Sequence, residues 1–325
     1  MTSKLRAWPV FVAVAAVALA GCGTTEAPEE ESKGGDSALT LADSRGKKVE
    51  LDGPAKRVVG TEWNGVESLV SLGVDPVGVA DVKGYTAWDT AAPLKNKPTD
   101  IGTRGEPSVD TVAKLKPDLI IATNDLSDAA VAQLSKAAPV IVLKSADATR
   151  QIDQMKENLK LIAKATGTED KADSQIEAFE KKLAQGRKKL ADAGLDGEQV
   201  AVADGWQEGN QVSVRPFVKG SLLTDVNTEL GLKSPWKVKG DKAYGLGATD
   251  VEGLTKVGDA RFVYIANATD GGDPFAEGLK DNAVWKSLPF VKKDQVHRLP
   301  DGIWMFGATA SMSDYVDALV GALTK

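Results

Sequence analysis

The chain has 325 residues, a net charge of −6, 42% hydrophobic and 26% charged residues, and one cysteine. This composition excludes the disordered, collagen-like and disulfide-stapled classes. The acidic balance argues against nucleic acid as a partner, because phosphates call for clustered Lys and Arg.

The length suffices for about two domains, each with its own core. At the start, Lys4 and Arg6 precede an apolar run, Ala7 to Ala20. That run is too short to span a bilayer comfortably and reads as a signal peptide over residues 1–21. No later run approaches ~18 apolar residues. Leu19-Ala20-Gly21-Cys22 resembles the bacterial lipobox, which implies a diacylated Cys22. The plainer alternative is an ordinary signal peptide followed by a chance cysteine. Residues 22–38 are rich in Gly, Ser, Glu and Pro, with almost nothing to bury, and read as a flexible tether.

The folded part is expected to open near Leu39 with a hairpin around Ser44-Arg45-Gly46. Short apolar runs at Arg57–Val59, Val77–Val79, Leu119–Ala122 and Val140–Leu143 then alternate with helical stretches at Val66–Leu72, Val109–Leu115 and Ala129–Lys136. This alternation predicts a parallel α/β sheet. The second half repeats the plan, with strands at Gln199–Ala203, Phe262–Ala266 and Gln295–Leu299 and helices at Lys219–Leu230, Val251–Val257 and Met312–Leu323. Between the halves, Ile152, Met155, Leu159 and Ile162 show helical spacing that closes at Gly167. Ala172, Ile176, Phe179, Leu183 and Leu190 form a second stripe. The second helix would be roughly 36 Å long, either a strut between two lobes or a surface helix over one sheet.

The halves also match in detail. Ser108-Val109-Asp110 opens a helix that leads to Pro117-Asp118-Leu119-Ile120-Ile121-Ala122. Asp250-Val251-Glu252 opens one that leads to Phe262-Val263-Tyr264-Ile265-Ala266. Each has a cap and then an acid in the first turn. Together with the lipobox, the run Ile101-Gly102-Thr103-Arg104-Gly105-Glu106-Pro107-Ser108 into Leu115-Lys116-Pro117-Asp118-Leu119, and the terminal Asp301-Gly302-Ile303-Trp304-Met305-Phe306, this chain resembles the iron-siderophore, or class III, substrate-binding proteins of ABC importers over Leu39 to Lys325. The resemblance implies an α/β fold of two Rossmann-like lobes with parallel sheets, joined by a long rigid helix. The expected division is 39–168, 169–194 and 195–325. It further implies a monomer outside the cytoplasmic membrane, tethered by lipid, that captures a small-molecule iron chelate and hands it to permease subunits. In the family an acid on each lobe docks on permease arginines; by position these match Asp110 and Glu252, with Glu106 one turn away. Both acids can equally serve as helix-end charges.

A parallel α/β lobe places ligands at the carboxyl ends of its strands. The loops expected there carry Trp63, Trp88 and Arg104 in the first half, and Trp206, Arg215, Tyr244, Trp304 and Phe306 in the second. Aromatic faces and arginine forks suit a bulky complex whose iron is already saturated by oxygen donors. Arg104 matches the arginine that contacts chelating oxygens in ferric-hydroxamate binding proteins, which points to a ferrioxamine-like ligand. Each Trp is also a candidate for plain packing, and Trp236 and Trp285 are read that way. One histidine, His297, and one lipidated cysteine cannot build a metal site on the protein, so no cofactor is expected. Cobalamin and haem remain rival ligands. A secreted enzyme is the remote rival, since Asp204-Gly205 and Asp301-Gly302 read as turns and no nucleophile motif accompanies them.

Overall fold

The computed structural model describes residues 38–209 and 211–325. The signal peptide, Cys22 and all of the tether but Ala38 lie outside the described residues. The expected opening hairpin is present as β1 (Leu39–Ala42) and β2 (Lys48–Leu51), with Leu39 opposite Leu51. Asp43 makes the turn by accepting from the backbone N–H groups of Arg45 and Lys47, while Gly46 takes a φ of 71°.

The first sheet is built from β3 (Val58–Gly60), α1 (Trp63–Ser71), β4 (Gly78–Val79), α2 (Val82–Trp88), β5 (Thr99–Asp100), α3 (Val109–Leu115), β6 (Leu119–Thr123), α4 (Asp128–Leu134) and β7 (Val140–Leu143). Its strands lie in the order β5-β4-β3-β6-β7, all parallel. Alternate residues feed two cores. Val58, Leu119 and Ile121 face one; Val59, Ile120 and Ala122 face the other.

After α5 (Gln151–Thr166) and α6 (Glu169–Asp192), the second sheet comprises β8 (Val200–Glu208), β9 (Gln211–Pro216), β10 (Arg261–Tyr264) and β11 (Val296–Arg298), in the order β11-β10-β8-β9. Its helices are α7 (Leu222–Glu229), α8 (Ala283–Ser287), α9 (Pro289–Lys292) and α10 (Thr309–Leu323). The expected parallel arrangement holds for β8, β10 and β11, and the sheet gains one antiparallel edge strand. The strand expected to stop at Ala203 runs on to Glu208 and turns back as β9, antiparallel to β8. Asp204-Gly205 resembles a turn in sequence, but Asp204 is paired across the ladder with Arg215. The expected helix at Val251–Val257 contracts to a 3₁₀ turn, Gly253–Lys256, whose first N–H is held by Asp250.

α6 packs against both cores. Ala172 and Ile176 join that of the first sheet, and Phe179, Leu183 and Leu190 that of the second. Lys171 and Gln175 donate to the carbonyls of Leu72 and Ser71 at the end of α1, while Lys182 pairs with Asp317 of α10. The same helix is thus pinned to both halves by side chains about two to three turns apart.

A second tie is buried. Glu67 projects from α1 and is fully enclosed. Its carboxylate accepts from the backbone N–H of Ala308 at 2.7 Å and of Ser311 at 2.8 Å. It therefore caps the amino end of α10, whose own residues supply no side-chain cap. The carboxylate comes so close that a Cβ at Gly307 would stand 2.3 Å from Glu67 Oε2. Asp89, also buried, abuts Glu67. Burial first, then the neighbouring Glu67 carboxyl, push Asp89 up to about 10; burial also pushes Glu67 up, against the pull of the Ser311 and Ala308 N–H groups.

Replacing Glu67 by Ala should leave two buried N–H groups without an acceptor and cost about 2–4 kcal/mol in urea unfolding. Asp89 holds a proton in the folded chain that it releases in the unfolded one above the usual carboxylate range. Stability therefore falls as pH rises from that range toward about 10. The thermal midpoint of Asp89→Asn should accordingly gain on wild type between pH 5 and pH 9, with the gain growing at each step.

Candidate functional site

The strand order fixes where a crevice opens. From β3 the first sheet runs one way to β4 and β5 and the other way to β6 and β7, so the direction reverses between β3 and β6. The segments leaving those two strands supply Glu62 and Asn64 on one side and Thr123 and Asp125 on the other. The second half faces them with Arg215, Tyr244, Leu246, Trp304 and Phe306, and Arg104 reaches in from the segment before α3. The resulting cleft has a volume of about 440 Å³. A separate space of about 30 Å³, large enough for a single water, lies behind it against α5.

Both arginines are committed to carboxylates. Arg104 Nη1 donates to Glu62 Oε1 at 2.9 Å, and its guanidinium lies 4.1 Å from the ring centre of Trp63 and 5.2 Å from that of Trp304. Arg215 grips Asp204 with two N–H groups, Nε to Oδ1 at 2.8 Å and Nη2 to Oδ2, and lies 5.2 Å from the ring centre of Phe306. Burial pushes the Asp204 carboxyl up, while the Arg215 charge and hydrogen bonds oppose it. Neither guanidinium is exhausted. Among the described residues, Arg104 Nη2 and Arg215 Nη1 have no protein acceptor. Each presents N–H donors with its charge already balanced.

Tyr244 spans the cleft. Its hydroxyl donates to Asp125 Oδ2 at 2.5 Å, linking the second half to the end of β6. Burial first, then the neighbouring Asp125 and Glu62 carboxylates, push the phenol up. The Tyr244 ring meets Phe306 edge-on at 5.6 Å, and Phe306 meets Trp304 at 5.1 Å. These form a continuous aromatic wall. Trp304 is almost wholly buried, yet its Nε1 finds no acceptor among the described residues.

Of the eight side chains singled out in the sequence, five line this cleft: Arg104, Arg215, Tyr244, Trp304 and Phe306. Three do not. Trp63 is the first residue of α1, buried, with Nε1 donating to the Ala80 carbonyl, and it reaches the cleft through the arginine stacked on it. Trp88 ends α2 rather than sitting in a loop, and its Nε1 donates to Asp270 at 2.7 Å. Trp206 is 43% exposed on β8, with Nε1 on Glu208, and its ring centre lies 5.9 Å from the Arg215 guanidinium that lines the cleft. Glu62 and Asn64 lie in the segment after Val59 that the sequence places at the cleft, without being singled out there; Thr123 and Asp125 are not anticipated, and applying the strand-end rule to β6 reaches both. Away from the cleft, Asp110 lies in the first turn of α3, and Glu106 and Glu252 precede short helical turns. All three are exposed. Among the described residues no helix is long and apolar enough to cross a membrane.

Comparison with known proteins agrees with this architecture. The "Probable siderophore-binding lipoprotein" of Bacillus subtilis is 26% identical over 93% of each chain. The Fe(3+)-citrate-binding protein of the same organism is 30% identical over 93% of this chain and 91% of its own. The crystal structure of the Fe3+–Desferal-bound siderophore-binding protein of Vibrio cholerae superimposes with a TM-score of 0.74 at 24% identity, covering 83% of this chain and 98% of that one. Residues 58–302 match the periplasmic binding protein family, and the chain belongs to that family.

Proposed function

We propose that this protein is the extracytoplasmic receptor of an ABC importer and captures a ferric siderophore of the hydroxamate class. The observation that carries the reading is the charge balance of the cleft. Two guanidiniums stacked on aromatic rings meet the carboxylates of Glu62 and Asp204, with Asp125 added, so the wall is not net positive. A ferric tris-catecholate carries three negative charges, and a ferric citrate complex is also anionic. Either would enter a cleft with no positive charge to spare. A ferric tris-hydroxamate is neutral, with six oxygens that still accept hydrogen bonds. It needs N–H donors and apolar faces, which Arg104, Arg215, Trp304, Phe306 and Tyr244 supply. Among the described residues no three of His, Cys, Asp and Glu converge as a metal site.

Relatives named for siderophore, citrate and Desferal binding support the ligand class and divide on its chemistry. In this reading a lipid on Cys22 keeps the receptor at the membrane, and the tether raises its effective concentration at the permease. The exposed acids Asp110, Glu252 and Glu106 form the docking contacts. Receptor action is stoichiometric and needs no turnover.

Titration of intrinsic tryptophan fluorescence with a ferric tris-hydroxamate, cobalamin and haem should show saturable one-to-one quenching by the hydroxamate complex, since Trp304 lines the cleft. Quenching by cobalamin or haem alone would sink the assignment. For docking, the double variant Asp110→Ala/Glu252→Ala should bind ligand as wild type does and lose uptake in cells. Uptake at the wild-type rate would remove those residues from the permease contact.

A further inference from the structure

The hydroxamate reading leaves one charge in the cleft unaccounted for. Glu62 is engaged by Arg104 and Asp204 by Arg215. Asp125 has only neutral partners. Its Oδ2 accepts from the hydroxyls of Tyr244 at 2.5 Å and Thr123 at 3.2 Å, while the Ser145 hydroxyl, 3.1 Å from Oδ1, lies closer to Asn124 Oδ1, at 2.7 Å. Among the described residues no Lys or Arg forms an ion pair with it. Lys144, the neighbour of Ser145 in the chain, is paired with Asp147. Asp125 nonetheless lines the cleft, with Glu62 on the same wall, and both carboxylates press on the Tyr244 phenol. Two cations stand against three carboxylates, and the surplus negative charge is localised at this one side chain.

A carboxylate held in place by the hydroxyls of Tyr244 and Thr123, beside two neutralised guanidiniums, is a local acceptor for a cation. We infer that Asp125 is a specificity-determining residue that takes a positively charged group of the ligand, a primary ammonium carried on the chelate. The inference rests on the hydroxamate reading and adds to it that the bound complex is cationic overall rather than neutral. The geometry is suited to the task. Asp125 is exposed, so an ammonium can approach without full dehydration. Tyr244 Oη offers a second acceptor beside it. Hydroxyl partners hold the carboxylate without cancelling its charge.

The test uses Desferal, a linear tris-hydroxamate ending in a primary amine, as its ferric complex, and the same complex N-acetylated at that amine. Affinities are measured by calorimetry for wild type and for Asp125→Asn, which keeps an acceptor for Tyr244. Wild type should prefer the amine-bearing complex by about threefold to tenfold, and 1 M salt should shrink that preference. In Asp125→Asn the ratio of the two affinities should fall to about one, whatever the absolute affinities become. Equal affinities in wild type, or a preference that survives Asp125→Asn, would overturn the inference while leaving the hydroxamate reading in place. Failure of both complexes to bind wild type would overturn the hydroxamate reading itself, and this inference with it.

Discussion

The buried carboxylate of Glu67 is the constraint on which the arrangement of the two halves depends. It belongs to α1, which follows β3 in the first sheet, and it ends on the N–H groups that open α10, packed against the second. A carboxyl group with no exposure is tolerable only when its oxygens are hydrogen-bonded, and here that requires Gly307 to yield space. The same stretch, Ile303 to Ala308, carries Trp304 and Phe306 into the cleft wall. The tie that positions α10 therefore also positions half of the aromatic surface. α6, anchored to the end of α1 and to the face of α10, braces the same junction from outside.

The cleft inherits its chemistry from that rigidity. Arginines in a flexible loop would be drawn to any anion. Here each is stacked on aromatic rings and neutralised, so it acts as an oriented set of N–H donors rather than a free charge. Such a surface discriminates by charge as much as by shape, because an anionic complex must be desolvated against Glu62 and Asp125 with no compensating cation. That is a restriction on ligand class expressed by paired side chains and not by a steric wall.

Much of the fold can be read in the residues. Val109–Leu115 and Val140–Leu143 match the sequence expectation to the residue, since a serine cap or a run of β-branched apolar residues marks each plainly. β5 left no trace, because Thr99-Asp100 is a two-residue exposed edge with no apolar pattern. The β8–β9 hairpin is hidden because Asp204-Gly205 looks like a turn; the antiparallel ladder from Ala203 opposite Pro216 to Glu208 opposite Gln211 carries the strand on. In the cleft, residue type proved a better guide than position. Arg104 and Trp304 line it as anticipated, whereas Trp63 and Trp88, judged to lie in loops, sit in helices and spend their indole N–H groups on protein acceptors. Glu67 resembles any acid on a helix. Its role depends on a contact 241 residues away along the chain, and no local pattern encodes that.

The central claim, that a charge-balanced cleft selects a non-anionic ferric chelate, is tested most directly by titrating the folded domain calorimetrically with a ferric tris-hydroxamate and a ferric tris-catecholate under one buffer condition. The account predicts one-to-one binding of the hydroxamate complex and weaker binding of the trianionic complex by at least about tenfold. Tighter binding of the catecholate complex would contradict it.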